Sequence, residues 1–110
     1  MLINFDQMAA QLVPNPRGGE GQMRRRAFQN EDIQILDLHL APRSVIGLHP
    51  HTADSEMYYI VSGTGRVLCD GAYEAVCTGS VHYCPRGHEH SLINDGDEDM
   101  VVLAVIPAAR

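Results

Sequence analysis

Gly47-Leu48-His49-Pro50-His51-Thr52-Ala53-Asp54-Ser55-Glu56-Met57-Tyr58-Tyr59-Ile60-Val61-Ser62-Gly63 is the stretch that decides the fold. Residues two apart on a strand point to the same side, so His49 and His51 aim two imidazoles at one point. Glu56 follows a four-residue connection, Thr52 to Ser55, and starts the next strand, the β-rich run Met57 to Val61. Chain reversal brings its carboxylate back beside the histidines. Further on, Gly79, Pro85, Gly87, His90 and Asn94 form a second pattern. There a rigid Pro-Arg-Gly turn delivers a third imidazole from a separate hairpin.

The period of two extends on both sides. Ile33 to Leu40 sets Leu36, Leu38 and Leu40 on one face, with Asp37 and His39 on the other. Val67-Leu68-Cys69 and Ala75-Val76-Cys77 flank Asp70-Gly71, a hairpin signal. Met100 to Ile106 is continuously apolar and stops at Pro107. That pattern predicts a strand buried on both faces, inside the fold or against a second subunit. Turn signals recur at Pro42-Arg43, Ser62-Gly63, Asp70-Gly71, Thr78-Gly79, Pro85-Arg86-Gly87 and Asp95-Gly96. Short strands punctuated this often predict an all-β sandwich or barrel. Residues 5–13 are expected to form one or two helical turns capped by Asn4 or Asp6. Residues 14–21, rich in Pro and Gly, read as a loop. The expected division is therefore an N-terminal segment, 1–21, helical or irregular and packed on the barrel or a partner, and a β-barrel, 22–107.

A chain of 110 residues with 45% hydrophobic content is one small globular domain. The net charge of −6, from 14 acids against 8 bases, argues against a nucleic-acid partner and for a small-molecule ligand. No apolar run reaches membrane-spanning length, and the first residues lack the basic and apolar regions of a signal peptide, so the expectation is a cytoplasmic protein without a membrane partner. Three cysteines, Cys69, Cys77 and Cys84, are an odd number and argue against a disulfide framework. They are expected to pack as small buried hydrophobes, with Cys84 nearest the second pattern.

Two or three neutral imidazoles plus a carboxylate suit one divalent transition metal, Fe, Mn, Ni, Co, Cu or Zn. Calcium prefers more oxygens. Four protein ligands on a six-coordinate ion leave two positions open for substrate, water or dioxygen. The chain here resembles the cupins, in particular small single-domain bacterial ones. Their first motif is written G-x5-H-x-H-x(3,4)-E-x6-G. His49, His51, Glu56 and Gly63 fit it, while Arg43 replaces the opening glycine. The second, G-x5-P-x-G-x2-H-x3-N, is matched at every defined position by Gly79, Pro85, Gly87, His90 and Asn94. The resemblance implies a double-stranded β-helix, or jelly-roll barrel, of six to eight strands. It also implies that His49, His51, Glu56 and His90 are metal ligands facing the interior, and that Asn94 is a structural turn residue. Gly47 is expected to supply flexibility that Arg43 does not.

Other residues are weaker candidates. Tyr58 shares the parity of Glu56 and should point inward, as a substrate-orienting or proton-donating hydroxyl or as a core aromatic. Tyr59 points the other way. Arg24 and Arg26 share a face, and one, Arg26 by preference, could clamp a carboxylate at the cavity mouth; the alternative is a charged edge strand. His88 is a loop histidine, a proton shuttle or simply exposed. His39 and His82 carry no motif and read as structural or surface residues. The leading expectation is a Lewis-acid metalloenzyme acting on a sugar, sugar acid or small carboxylic acid as an isomerase, lyase or decarboxylase. An Fe-dependent dioxygenase and a non-catalytic small-ligand sensor are the alternatives. The N-terminal segment, Ile33, Ile35 and strand 100–106 offer apolar surface that predicts a homodimer.

Overall fold

Ten strands form two antiparallel sheets around one core in the computed structural model, which describes residues 1–108. The strands are β1 (Gln11–Pro14), β2 (Gln22–Gln29), β3 (Ile33–Leu40), β4 (Val45–Pro50), β5 (Glu56–Ser62), β6 (Thr64–Cys69), β7 (Ala72–Cys77), β8 (Val81–Cys84), β9 (Glu89–Ile93) and β10 (Met100–Pro107). The larger sheet runs β1-β2-β3-β10-β5-β8 and the smaller β4-β9-β6-β7. This is an all-β jelly-roll barrel. No helix is long and apolar enough to cross a membrane.

The core follows strand parity. Leu36, Leu38 and Leu40 of β3 turn inward as their alternation predicts, beside Met100, Val102, Ala104 and Ile106 of β10. Ile60 of β5 extends that wall, and Val67 and Leu92 of the smaller sheet form the opposite one. Each Leu, Ile, Val or Met side chain so removed from water stabilises the fold by about 1.5–3 kcal/mol. Of the two burials expected for strand β10, the one inside the fold does not hold, because within the chain it is buried on one face only. It lies centrally between β3 and β5, so Val101, Leu103 and Val105 project to the outer face and stay half-buried. The Asp70-Gly71 hairpin forms as expected between β6 and β7, with φ of 50° and 80° at the two turn residues. Positive φ at both is the twist-matched hairpin turn that glycine makes easy.

The N-terminal residues depart from expectation. Only Phe5–Gln7 forms a helical turn, a 3-10 one, and neither Asn4 nor Asp6 caps it with its side chain. Residues 11–14 are instead β1, whose pairing with β2 satisfies the backbone that a helix would have satisfied internally. This strand and the short β7–β8 elements raise the total above eight. Within residues 14–21, Pro16–Gly18 is a second 3-10 turn with Pro16 buried, and Glu20 bridges to Val45. Among the cysteines only Cys84 is fully buried. Cys69 is half-buried, and Cys77 is exposed on the edge strand β7, where only Val76 is buried.

Candidate metal centre

A β-bulge aims the first two histidines. Ile46 pairs with Leu92, but three residues later His49 pairs with His90, only two residues before Leu92, so β4 carries one extra residue. The extra residue resets parity, and Ile46 and His49 both point inward. Gly47 sits at the bulge for a steric reason rather than for flexibility: a Cβ there would strike the Arg17 carbonyl oxygen and the Gly19 nitrogen. Arg43 itself has a φ of 60°, in the left-handed region that favours glycine. His51 lies just beyond β4 and is tied to the turn before β9. Its N–H donates to the His88 carbonyl (2.9 Å), and its carbonyl accepts from the Gly87 N–H (2.6 Å).

His49, His51, Glu56 and His90 converge inside the barrel, all four buried, with their donor atoms within 4.8 Å of one another. Glu56 Oε1 stands 2.9 Å from His90 Nε2, 3.0 Å from His51 Nε2 and 3.6 Å from His49 Nε2. His90 Nε2 is 3.1 Å from Nε2 of both His49 and His51. With bonds of about 2.1 Å, donors lie about 3.0 Å apart at 90° on an octahedral ion and about 3.4 Å apart on a tetrahedral one. Five of the six separations fall in or near that range.

The opposite ring nitrogens fix the tautomers. His49 Nδ1 donates to the Gly47 carbonyl (2.7 Å), His51 Nδ1 to the Asp54 carboxylate (2.7 Å), and His90 Nδ1 to His82 Nε2 (3.0 Å). With the protons on Nδ1, three Nε2 lone pairs and a carboxylate face one another. Such a donor set is self-repelling without a cation among it, so these residues fit a divalent metal. Glu56 is fully ionised. Burial raises its pKa, but the close approach of the His49, His90 and His51 rings outweighs this and holds it at about 2. Burial lowers the pKa of His90, favouring the neutral ligand form. Burial and then His90 lower that of His82 to about 4.

Tyr58 is buried where its parity predicts, stacked on His90 with centroids 4.9 Å apart and planes 9° apart. Burial and the Glu56 charge push its pKa well above the usual phenol value, so it is a neutral O–H donor. Asn94 is the structural residue expected: its Nδ2 lies within 3.1 Å of the carbonyl oxygens of Leu40, Ala41 and Glu98.

A cavity of about 450 Å³ opens above His49, His51, Glu56 and Tyr58, walled by Leu36, Leu38 and Ile46 and by Arg17, Arg25 and Gln34. The structure brings neither Arg24 nor Arg26 to it. Arg26 pairs across the strands with Asp37, which faces outward, and binds the Asp37 carboxylate (3.3 Å) and the Met8 carbonyl (3.0 Å). Arg24 makes an exposed ion pair with Asp99. Arg25 lies opposite inward-facing Leu38 and so enters the cavity. His88 is exposed and hydrogen-bonded to Asp70, outside the cavity. Asp54, Arg17 and Arg25 are residues that the sequence reading passed over, and His82, read as structural or surface, is structural, its ring holding that of His90. The β2–β3 pairing, with Gln29 opposite Gln34, carries the signal for Arg25.

Comparison with known proteins agrees with this geometry. A family model described as "Cupin domain" matches residues 36–106. A relative from Thermotoga maritima named "Oxalate-binding protein" is 30% identical, the alignment covering 96% of this chain and 93% of the relative. A crystal structure of a predicted oxalate decarboxylase from Thermotoga maritima superposes with a TM-score of 0.92 at 28% identity, covering 98% of this chain and 99% of the other. KdgF from Halomonas sp. shares the fold, with a TM-score of 0.81 at 17% identity over 96% of this chain and 90% of its own.

Proposed function

The chain belongs to the cupin family, and on that premise we propose that it holds one divalent transition metal at His49, His51, Glu56 and His90 and binds a small carboxylic acid there through two oxygens. The observation that carries this reading is the buried four-donor cluster at the base of a cavity. A divalent ion with one carboxylate ligand leaves the centre with net positive charge, in surroundings poorly screened by water. An anion is the complementary ligand, and the name of the 30% identical relative supports an oxalate-like acid.

When bound, the metal supplies a Lewis-acidic charge that polarises a carboxylate or carbonyl oxygen. Tyr58, a neutral phenol, donates a hydrogen bond to the ligand and orients it. Asp54 and His82 fix the imidazoles, and Leu36, Leu38 and Ile46 exclude water. His88 faces Asp70 instead of the cavity, so the geometry does not support the proton-shuttling role expected of it. The geometry around the cluster supports acid binding, the step that isomerase, lyase and decarboxylase chemistry would share.

Elemental analysis of protein purified without a polyhistidine tag or chelator tests the reading, together with calorimetry using oxalate. Near-stoichiometric metal, lost in His51→Ala, with oxalate binding only to the loaded protein, is the expected result. No metal uptake on reconstitution would overturn it. Carbon dioxide release from oxalate would restore the decarboxylase reading, and oxygen uptake by iron-loaded protein the dioxygenase one.

We also propose that the outer face of the larger sheet pairs with a second copy of the chain. Tyr59, Val61, Val81 and Tyr83 are exposed there beside half-buried Leu103 and Val105, an uncharged surface on a chain of net charge −6. A standard interface needs about 800 Å² per partner. Light scattering should give a dimer that Tyr83→Glu dissociates; a monomeric wild type would exclude it.

A further inference from the structure

We propose that the cavity takes a dicarboxylic acid longer than oxalate, with one carboxylate at the metal centre and the other held by Arg17 and Arg25. The inference rests on the metal-centred acid binding proposed above and names the ligand class that the rest of the cavity selects.

Two guanidinium groups line the cavity without a carboxylate partner. Arg24, Arg26, Arg43 and Arg66 each pair with an aspartate. Among the described residues, Arg17 and Arg25 pair with none, although Arg25 is half-buried. A half-buried cation without a counter-ion forgoes an interaction that a bound carboxylate supplies, and the planar guanidinium matches a carboxylate in two parallel hydrogen bonds.

Arg17 is placed there by construction. Its φ of 54° lies in the left-handed region, a conformation that costs a non-glycine residue about 1 kcal/mol or more and clusters at binding sites. The turn that carries it is fastened to β4. Glu20 N–H donates to the Val45 carbonyl (3.1 Å), and Val45 N–H to the Glu20 carbonyl (2.9 Å). Gly47, with no Cβ, lets the Arg17 carbonyl rest against the bulge two residues before His49. The position of Arg17 relative to the first metal ligand is therefore built into the backbone.

Register separates the arginine end from the metal end. Arg25 stands on β2, three strands from Glu56 on β5. At about 4.8 Å per strand, that is roughly 14 Å across the sheet between backbones. It also lies in the row of Leu38, Val102 and Ile60, four residues along β5 from Glu56. Between the two ends the wall is Leu36, Leu38 and Ile46, apolar surface that suits methylene groups. Oxalate joins its carboxylates by one bond, occupies the metal with both, and leaves most of about 450 Å³ unfilled.

Calorimetry on Mn(II)-loaded protein with oxalate, malonate, succinate, glutarate and butyrate tests this. Succinate or glutarate should bind at least tenfold more tightly than oxalate and than butyrate, which has no second acid group. Arg25→Gln and Arg17→Gln should each weaken succinate binding at least tenfold with metal content unchanged, which also reports that the variants fold. Arg25→Lys should recover part of the loss, since it keeps the charge without the fork. Oxalate binding most tightly, or both glutamine variants retaining the preference for succinate, would overturn the inference alone. Failure of every acid to bind the loaded protein would overturn the metal-centred reading and this inference together.

Discussion

The floor and the rim of one cavity are held in place by different physics. At the floor, each imbalance is answered by a partner: the three imidazole N–H groups of His49, His51 and His90 have acceptors in Gly47, Asp54 and His82. At the rim, Arg17 and Arg25 have no counter-ion among the described residues, and their positions come from backbone packing and strand register. The floor is organised for an ion of fixed geometry, whereas the rim is positioned but electrostatically open. The difference separates a part that must be rigid before the ligand arrives from a part that the ligand itself completes.

The largest blow to this arrangement is at Gly47, where the two systems meet. Gly47→Val would place side-chain atoms where the Arg17 carbonyl and the Gly19 nitrogen now lie. Backbone atoms cannot rotate aside as a side chain would, so a loss of about 3 kcal/mol, the upper end for overpacking, is expected. Chemical denaturation measures it. Both metal affinity and the Arg17-dependent part of acid affinity should fall together; if only one changes, floor and rim are not coupled through this glycine.

Next in size are the floor's supporting partners. Asp54→Ala and His82→Ala should each weaken metal binding 10–100-fold, about 1.4–2.7 kcal/mol, because each frees a ring that the metal needs oriented. Competition with a chelator of known affinity reads this directly. Arg17→Gln, assayed in parallel, should leave metal affinity within experimental error. A comparable loss in that variant would erase the distinction between the two regions.

Acid should act on the floor alone. His82 has a folded pKa of about 4 and His90 one below its usual value, both through burial, so the unfolded chain binds more protons than the folded one below pH 6.5. Their contribution to stability is therefore complete above about pH 6.5 and is lost as pH falls toward 4. Glu56, held at about 2, adds a further loss that begins near its unfolded value of 4.5 and runs down to about 2. The melting temperature of chelator-treated protein should fall through both windows, and His82→Asn should flatten the first.

Most of the floor was legible in the sequence because its ligands belong to fixed local spacings. His49 and His51 are two apart on one strand, and Pro85 and Gly87 set the turn that delivers His90. The rim was not, because it depends on what lies across from what. The run Arg24-Arg25-Arg26 has no parity of its own, and only its pairing with Asp37 and Leu38 decides which member enters the cavity. Arg17 was hidden by a loop whose position depends on contact with Gly47. His82 read only as a structural or surface residue because its partner, the His90 ring, is eight residues away and on the other sheet. The same holds for β1. Residues 11–14 have little strand signal, and their conformation comes from the edge of β2 they pair with.

The smallest expected effect concerns Arg43, which stands where the family motif has glycine and has a φ of 60°. Relief of left-handed strain in Arg43→Gly is worth about 1–2 kcal/mol. Against this, glycine gives the unfolded chain more freedom, costing about 0.4–1 kcal/mol. The variant also loses the ion pair with Asp97, whose partners are both largely exposed. Exposed pairs contribute at most about 1 kcal/mol and are screened by salt. The terms nearly cancel in dilute buffer, so the sign should depend on ionic strength: Arg43→Gly should be close to neutral at low salt and stabilising by about 0.5 kcal/mol in 1 M salt. A variant that is destabilised at both would mean that the Arg43 side chain, rather than the backbone conformation alone, holds the turn leading into the metal-ligand strand.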